Sequence, residues 1–235
     1  RGAPWFLLAA KLAAAAGMPV LLHGWNSASN EIADVRKALA GLDIPTVESA
    51  DAAQRALTAH GIAYAPLEAL DRSALDLLRL RDVLGLRSPI NTALRAMNPA
   101  GAATSLQGVF HPAYRGLQQD VGLALEQPRL LVLKGGGGEF ERHPGKAAEL
   151  LGVADGNAFE TTAPALVTGH VRLAEGVQTT PAALWAGDAE DPFAEAAVLA
   201  TAGAALFGAG VGRDPEAATE VARDLWRRRS TRRAA

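Results

Sequence analysis

The residues best suited to chemistry fall in three groups. The stretch 79–101, RLRDVLGLRSPINTALRAMNPAG, carries Arg81, Arg87, Asn91 and Asn98 around a turn and a helix start. Guanidinium groups clamp carboxylates and phosphates bidentately, so cations and amides grouped in this way suit an anionic ligand. A solvated helix face with ordinary caps accounts for the same pattern. The stretch 131–146, LVLKGGGGEFERHPGK, places Lys134, Gly135, Gly136 and Gly137 before Glu139 and Glu141. Glycines permit positive φ and let a ligand touch backbone; a flexible turn is the plainer alternative. The run is neither a phosphate-binding P-loop nor a dinucleotide fingerprint. Phe140 stands where each needs its key glycine, and Lys146 precedes Ala147 rather than Ser or Thr. If the chain is extended here, Glu139 and Glu141 point to one side; otherwise they are solvated carboxylates paired with Arg142 or Lys146. The third group is His23, Gly24, Asn26 and Ser29, which follow a short apolar run. His23 could equally be a capping or core histidine. His111, beside Pro112 and Tyr114, could stack on a base or cap a helix.

These residues need elements to hold them. The segment 5–16 has a helix pattern stopped by Gly17, and 18–22 is a continuous apolar run of the kind that forms a buried parallel strand. Ile32, Val35 and Leu39 recur at helical spacing. The segment 52–60 is a helix closed by Gly61, followed by a strand at 62–65. Asp71 caps a helix running to Leu84 and stopped by Gly85. A strand at 106–110, a helix at 112–126 with Pro112 in its first turn, and a strand at 129–133 lead into the glycine run. Short β segments are expected near Phe159 and at 165–167. Asp191 opens a long helix to about Ala209, and Asp214-Pro215 opens the last, to about Arg229. Strands alternating with helices predict an α/β fold: a mostly parallel, doubly wound sheet flanked by helices. Ligands of such sheets bind at the carboxyl ends of the strands, so the glycine run and His23 are expected to share one cleft, with Arg87 and Asn91 at its border.

The chain has 235 residues, of which 49% are hydrophobic and only 5% aromatic, so its core must be built from Ala, Leu and Val. A formal net charge of -2 excludes a general attraction to nucleic acid. The tail RDLWRRRSTRRAA, with six arginines from Arg223 to Arg233, is a solvated end or a phosphate-binding one. There is no cysteine, which removes disulfides, thiolate metal sites and a Cys nucleophile, and fits a reducing, cytoplasmic setting. No apolar run reaches the roughly 20 residues of a membrane span; the nearest, 196–211, reads as a buried helix. No secretory signal is visible. The chain starts at Arg1 rather than Met, so a segment upstream is expected to have been removed.

The order of these motifs resembles the anthranilate phosphoribosyltransferases of glycosyltransferase family 3. That family has an arginine, then Leu-Gly-x-Arg-Thr, then an asparagine and Asn-Pro-Ala, as in LRLRDVLGLRSPINTALRAMNPAG. SLQGVFHPAY resembles its next strand, LKGGGGEFE its glycine turn ending in Asp-Glu, VLLHGWN its His-Gly-Asn, and EAAVLATAGAALFGAG its late helix. The resemblance implies the larger α/β domain of that fold over residues 1–235, with the small N-terminal helical domain and the diphosphate-binding glycine loop lying upstream. It implies Mg²⁺ held by Glu139 and Glu141 while Mg²⁺ holds phosphoribosyl diphosphate. It places Arg81 on the carboxylate of an acidic aromatic acceptor. It adds Arg87, Asn91, Asn98, Lys134, Gly135, Gly136 and Gly137 to the binding set, with His23, Gly24, Asn26 and Ser29. A homodimer is implied for the full-length protein.

The chain departs from the family pattern in two places: Trp25 stands for an asparagine, and Glu-Phe-Glu replaces Asp-Glu. These departures resemble the YbiB-type paralogues, for which the implied activity is binding of single-stranded nucleic acid without a known reaction. Phosphoribosyl transfer and nucleic-acid binding are therefore the two readings carried into the structure.

Overall fold

The structure is a computed structural model that describes residues 2–25, 34–85, 89–168 and 179–229, together with the Arg81 backbone but not its side chain. Its elements in chain order are α1 (Phe6–Ala15), β1 (Val20–Gly24), α2 (Val35–Ala40), α3 (Ala50–His60), β2 (Ile62–Pro66), α4 (Leu67–Leu70), α5 (Arg72–Leu84) and α6 (Ile90–Ala93). A 3₁₀ turn over Leu94–Ala96 leads to β3 (Thr104–Val109), α7 (Tyr114–Ala124), β4 (Arg129–Lys134), β5 (Ala148–Ala154) and β6 (Asn157–Ala163). The chain closes with α8 (Pro181–Ala186), α9 (Pro192–Gly208) and α10 (Pro215–Arg228).

Most of these boundaries follow from local chemistry. Asp71 Oδ1 accepts the Ala74 N–H at 2.9 Å, Asp191 Oδ1 that of Ala194 at 2.9 Å, and Asp214 Oδ1 that of Ala217 at 2.7 Å. Each satisfies a donor that the first helical turn leaves without a partner. Pro192 and Pro215 sit in first turns, where a missing N–H removes nothing.

The α/β class stands, but the described strands do not form one continuous, mostly parallel sheet. β1 and β2 pair in parallel as a two-stranded sheet, while β3, β4, β5 and β6 form a second sheet in that order. β3 and β4 are parallel, joined through α7; β5 and β6 are antiparallel to their neighbours. No helix lies between β4 and β5, so the chain turns back through the glycine run and β5 must run the other way. The Asp155-Gly156 pair then closes a tight hairpin, with φ of 51° and 77°, conformations that Asp and Gly adopt readily. The strand expected at 165–167 is a turn held by the Pro144 carbonyl, which accepts the Leu166 N–H at 2.8 Å. β1, expected to be buried, is half-buried along its length; β2 is the buried member of that pair.

α9 holds the two sheets together. Its long Ala-rich run is buried, as the sequence predicts, with Val198, Ala202 and Leu206 facing α1 and α10 and Ala204 facing β4 and β6. Gly203 lets α10 approach until Thr219 touches the helix backbone, and Gly208 lies on Leu131 and Leu106. Small residues replace aromatic bulk here, so close helix approach does the filling.

Candidate functional site

β3 and β4 are in register from Thr104↔Arg129 to Val109↔Lys134, so their carboxyl ends share one edge. The glycine run starts at that edge. The Gly135 N–H donates to the Val109 carbonyl at 3.0 Å, and the Gly138 N–H returns to the Gly135 carbonyl at 3.3 Å. The turn is tight enough that a Cβ on Gly108 or on Gly135 would collide with the Glu139 backbone. Gly138 has φ +90°, which favours glycine. Gly136 differs: it is exposed, has open space around its Cα, and no protein acceptor meets its N–H among the described residues. The run is therefore an anchored turn, not a flexible one; its strict glycines are those at 135 and 138, with Gly108 of β3 facing it.

Arg95, from the 3₁₀ turn, locks the far side. Its Nη1 donates to the Gly108 carbonyl at 2.6 Å and to the Gly138 carbonyl. Beyond the glycines, Glu141 Oε2 accepts the Phe6 N–H at 2.8 Å. α1 has no capping side chain and no acid in its first turn, so a carboxylate distant in sequence supplies the missing cap. Burial pushes the Glu141 carboxyl up to about 7; the Phe6 bond opposes this and the neighbouring Glu139 charge adds to it.

Arg142 does not pair with either glutamate. It turns inward, is 2% exposed, and donates from Nη2 to the carbonyls of Ala163 and Pro164 at 3.1 and 2.8 Å and from Nη1 to that of Ala200 at 3.4 Å. Its backbone N–H donates to Thr201 Oγ1 at 3.0 Å. Burial draws its pKa down to about 10, with Glu216 acting in the opposite sense. It thereby ties the end of the glycine segment to α9 and to the end of β6.

The result is one cleft of about 220 Å³ between the glycine turn and the start of α1, lined by Gly136, Gly137, Glu139 and Glu141 on one side and by Gly2, Phe6 and Val35 on the other. Lys134 is exposed at the same strand edge. His23 does not line the cleft. Burial lowers its pKa, and the nearby Met97 backbone works against this. The Gly24 carbonyl accepts from Tyr64 Oη at 3.0 Å. Trp25 packs against the cluster of Leu67, Leu75 and Leu78, so the residue that departs from the family pattern serves as core. Asn91 is exposed on α6. Asn98 closes its own loop: its Nδ2 donates to the Ala102 carbonyl at 2.8 Å and its Oδ1 accepts the Ala102 N–H at 2.8 Å. That loop precedes Thr104, at the opposite end of β3 from the glycine run, roughly 16 Å away at about 3.3 Å per residue. Asn26, Ser29 and Arg87, like the Arg81 side chain, lie outside the described residues.

The arginines of the last helix are not a bare cationic stripe. Arg227 and Arg228 face Asp224, Arg223 faces Glu220 at 3.2 Å, and the Arg229 guanidinium lies 3.4 Å from the Trp226 ring centroid. Arg232 and Arg233 fall outside the described residues. Among the described residues no group of three or more His, Cys, Asp or Glu side chains is placed to hold a metal, and no helix is long and apolar enough to cross a membrane.

Three residues that matter here have roles that their local sequence does not show. Arg95, Arg142 and Gly108 act through partners at least 13 positions away, which no local pattern reports.

No protein-family model matches the chain. It is 38% identical over 148 residues to the anthranilate phosphoribosyltransferase of Bordetella pertussis (strain Tohama I), a match covering 62% of this chain and 42% of that enzyme. With the Burkholderia ambifaria (strain MC40-6) enzyme it is 35% identical over 151 residues, covering 63% and 43%. The matched region thus spans less than half the length of these curated relatives. In fold, the anthranilate phosphoribosyltransferase of Thermus thermophilus superposes with a TM-score of 0.74 at 23% identity, over 99% of this chain and 71% of that one. The Saccharomyces cerevisiae enzyme in complex with PRPP and Mg gives 0.73 at 14% identity, over 97% and 66%. This chain is thus similar in sequence, over much of its length, to part of the anthranilate phosphoribosyltransferases, and it shares their fold over nearly all of its length.

Proposed function

We propose that the cleft binds phosphoribosyl diphosphate and that the protein is a phosphoribosyltransferase acting on an acidic aromatic or similar small acceptor. The observation that carries this reading is the anchored glycine turn, which offers Gly136 and Gly137 to a cleft shared with two carboxylates. The diphosphate is the part of such a ligand that a side-chain-free turn can approach closely. Glu139 and Glu141 fit Mg²⁺: both line the cleft and both offer hard oxygen. When bound, Mg²⁺ would neutralise charge on the departing diphosphate. The chain's own contribution is positioning and electrostatics. Lys134 adds a cation at the strand edge, and Arg81 is assigned to the acceptor's carboxylate. Gly24 and Asn98 hold their own loops outside the cleft.

Isothermal titration of the protein with phosphoribosyl diphosphate, with and without Mg²⁺, tests this reading. Mg²⁺-dependent heat is expected; no heat at millimolar ligand rejects it.

A second reading is binding of single-stranded nucleic acid. It is favoured by an exposed aromatic group at the end of β3, where the His111 ring centroid lies 4.8 Å from that of Phe110 and 6.2 Å from that of Tyr114. Exposed rings can stack on bases. The pairing of the α10 arginines with acids of the same helix counts against the tail as the phosphate contact. Anisotropy of labelled single-stranded DNA across a salt series decides it: phosphate contacts weaken linearly in log salt, and undetectable binding rejects the reading.

A further inference from the structure

Arg95 stands in the 3₁₀ turn after α6 and reaches two carbonyls that belong to different elements. One is Gly108, the last residue but one of β3; the other is Gly138, the last glycine of the run. A guanidinium nitrogen carries two N–H groups, and Nη1 alone serves both carbonyls, so one charged side chain bridges two fixed acceptors. The turn is built to receive it. Gly138 has φ +90°, and a Cβ there would stand 2.7 Å from Arg95 Nη2, so any larger residue would displace the guanidinium. The other side of the turn is held by Gly135 on Val109 and by Gly138 on Gly135. Between these two supports lie Gly136 and Gly137, the glycines that line the cleft.

We propose that Arg95 is a positioning residue of the cleft: by holding the Gly138 carbonyl against the end of β3 it fixes the backbone conformation in which Gly136 and Gly137 meet an anionic ligand. This deepens the reading of the cleft given above and rests on it for the ligand, but not for the conformational claim. Arg95 acts through the peptide, not by touching the reacting atoms.

The test has two arms that fail separately. In the first, amide hydrogen exchange is followed at Gly135 and Gly138, the hydrogen-bonded amides of the turn, in the parent, Arg95→Met and Arg95→Lys, without ligand. Exchange in Arg95→Met is expected to rise roughly tenfold, the scale of losing a charged hydrogen bond. Arg95→Lys, which keeps a cation and a donor, should recover part of that rise, and protection in α9 should not change. Unchanged exchange at Gly135 and Gly138 overturns the proposal, and so does an equal rise throughout α9, which would make Arg95 a general stabiliser. If Arg95→Met does not fold, Arg95→Lys alone decides, because the lysine nitrogen ends one bond short of Nη1 and cannot meet both carbonyls as Nη1 does; exchange identical to the parent then overturns it. In the second arm, phosphoribosyl diphosphate with Mg²⁺ is titrated. Weakening of about tenfold in the Met variant with recovery in the Lys variant supports the role; parent-like affinity in the Met variant overturns it. A parent that binds no such ligand rejects the function proposed above, and the exchange arm still decides the place of Arg95.

Discussion

The glycine turn and the α5–α6 segment carry the two halves of the family resemblance, and they are built in opposite ways. The turn has almost no side chains, yet it is held at both ends: by Val109, Arg95, the start of α1 through Glu141, and the core through Arg142. α5 is rich in side chains but is packed along one face. Leu75 and Leu78 are buried, whereas Leu77 and Leu80 are 45% and 44% exposed and Val83 is 81% exposed. Backbone conformation in the turn is fixed by neighbours from four elements, so a substitution there acts on the fold. The outer face of α5 answers to few neighbours, so a substitution there acts on what it meets.

Gly135→Ala is the sharpest way to break this contrast. Its Cβ would fall on the Glu139 backbone, which cannot move without pulling Gly108 and Glu141. A loss of about 3 kcal/mol or more is expected in chemical denaturation. Gly136→Val, with open space at its Cα, should leave the denaturation midpoint nearly unchanged while blocking the cleft. Equal damage from both would mean that the run is uniformly tight.

Arg142→Ala ranks next. It strips donors from the Ala163, Pro164 and Ala200 carbonyls and leaves a void beside α9, for an expected loss of roughly 2 to 4 kcal/mol. Arg142→Met should lose less, since it keeps the packing and forfeits only the bonds. If Arg142→Ala has no effect, the glycine segment is not tied to the core through this side chain.

Glu141 gives a pH signature. Its folded-state pKa is raised to about 7 from an ordinary value of 4.5, so between these values the native state binds more protons than the unfolded one. Stability should therefore fall as pH rises from 4.5 to 7, and the penalty is complete above about pH 7. Glu141→Gln keeps an acceptor for the Phe6 N–H but cannot ionise. It should flatten that slope and raise stability at about pH 8 by roughly 1 to 3 kcal/mol. An unchanged slope in urea titrations at about pH 5 and pH 8 would show that the carboxylate is solvated rather than buried against α1.

The smallest effect is expected on the other side of the comparison. Leu80→Gln on the outer face of α5 should change the stability of the isolated chain by about 0.5 kcal/mol or less. A loss several times larger would show that this face is packed in solution.

The sequence by itself determined the elements whose signals are local. Asp71, Asp191 and Asp214 each cap the helix they precede, Gly61 closes α3 with φ +69°, and the alanine-rich run of α9 is buried because it has no polar face to expose. It also determined the family likeness and the place of the glycine run at the end of β4. The tertiary structure alone decided which way the strands pair, because a strand's direction depends on what connects it, and β5 follows a turn instead of a crossover helix. It alone moved Asn98 away from the cleft and Trp25 into the core. It made Glu141 the cap of a helix 135 residues earlier in the chain. It also put Arg95 and Gly108 on the glycine run. Each of these roles rests on a hydrogen bond or a close approach between residues far apart in sequence, and no periodicity or spacing can encode such a contact.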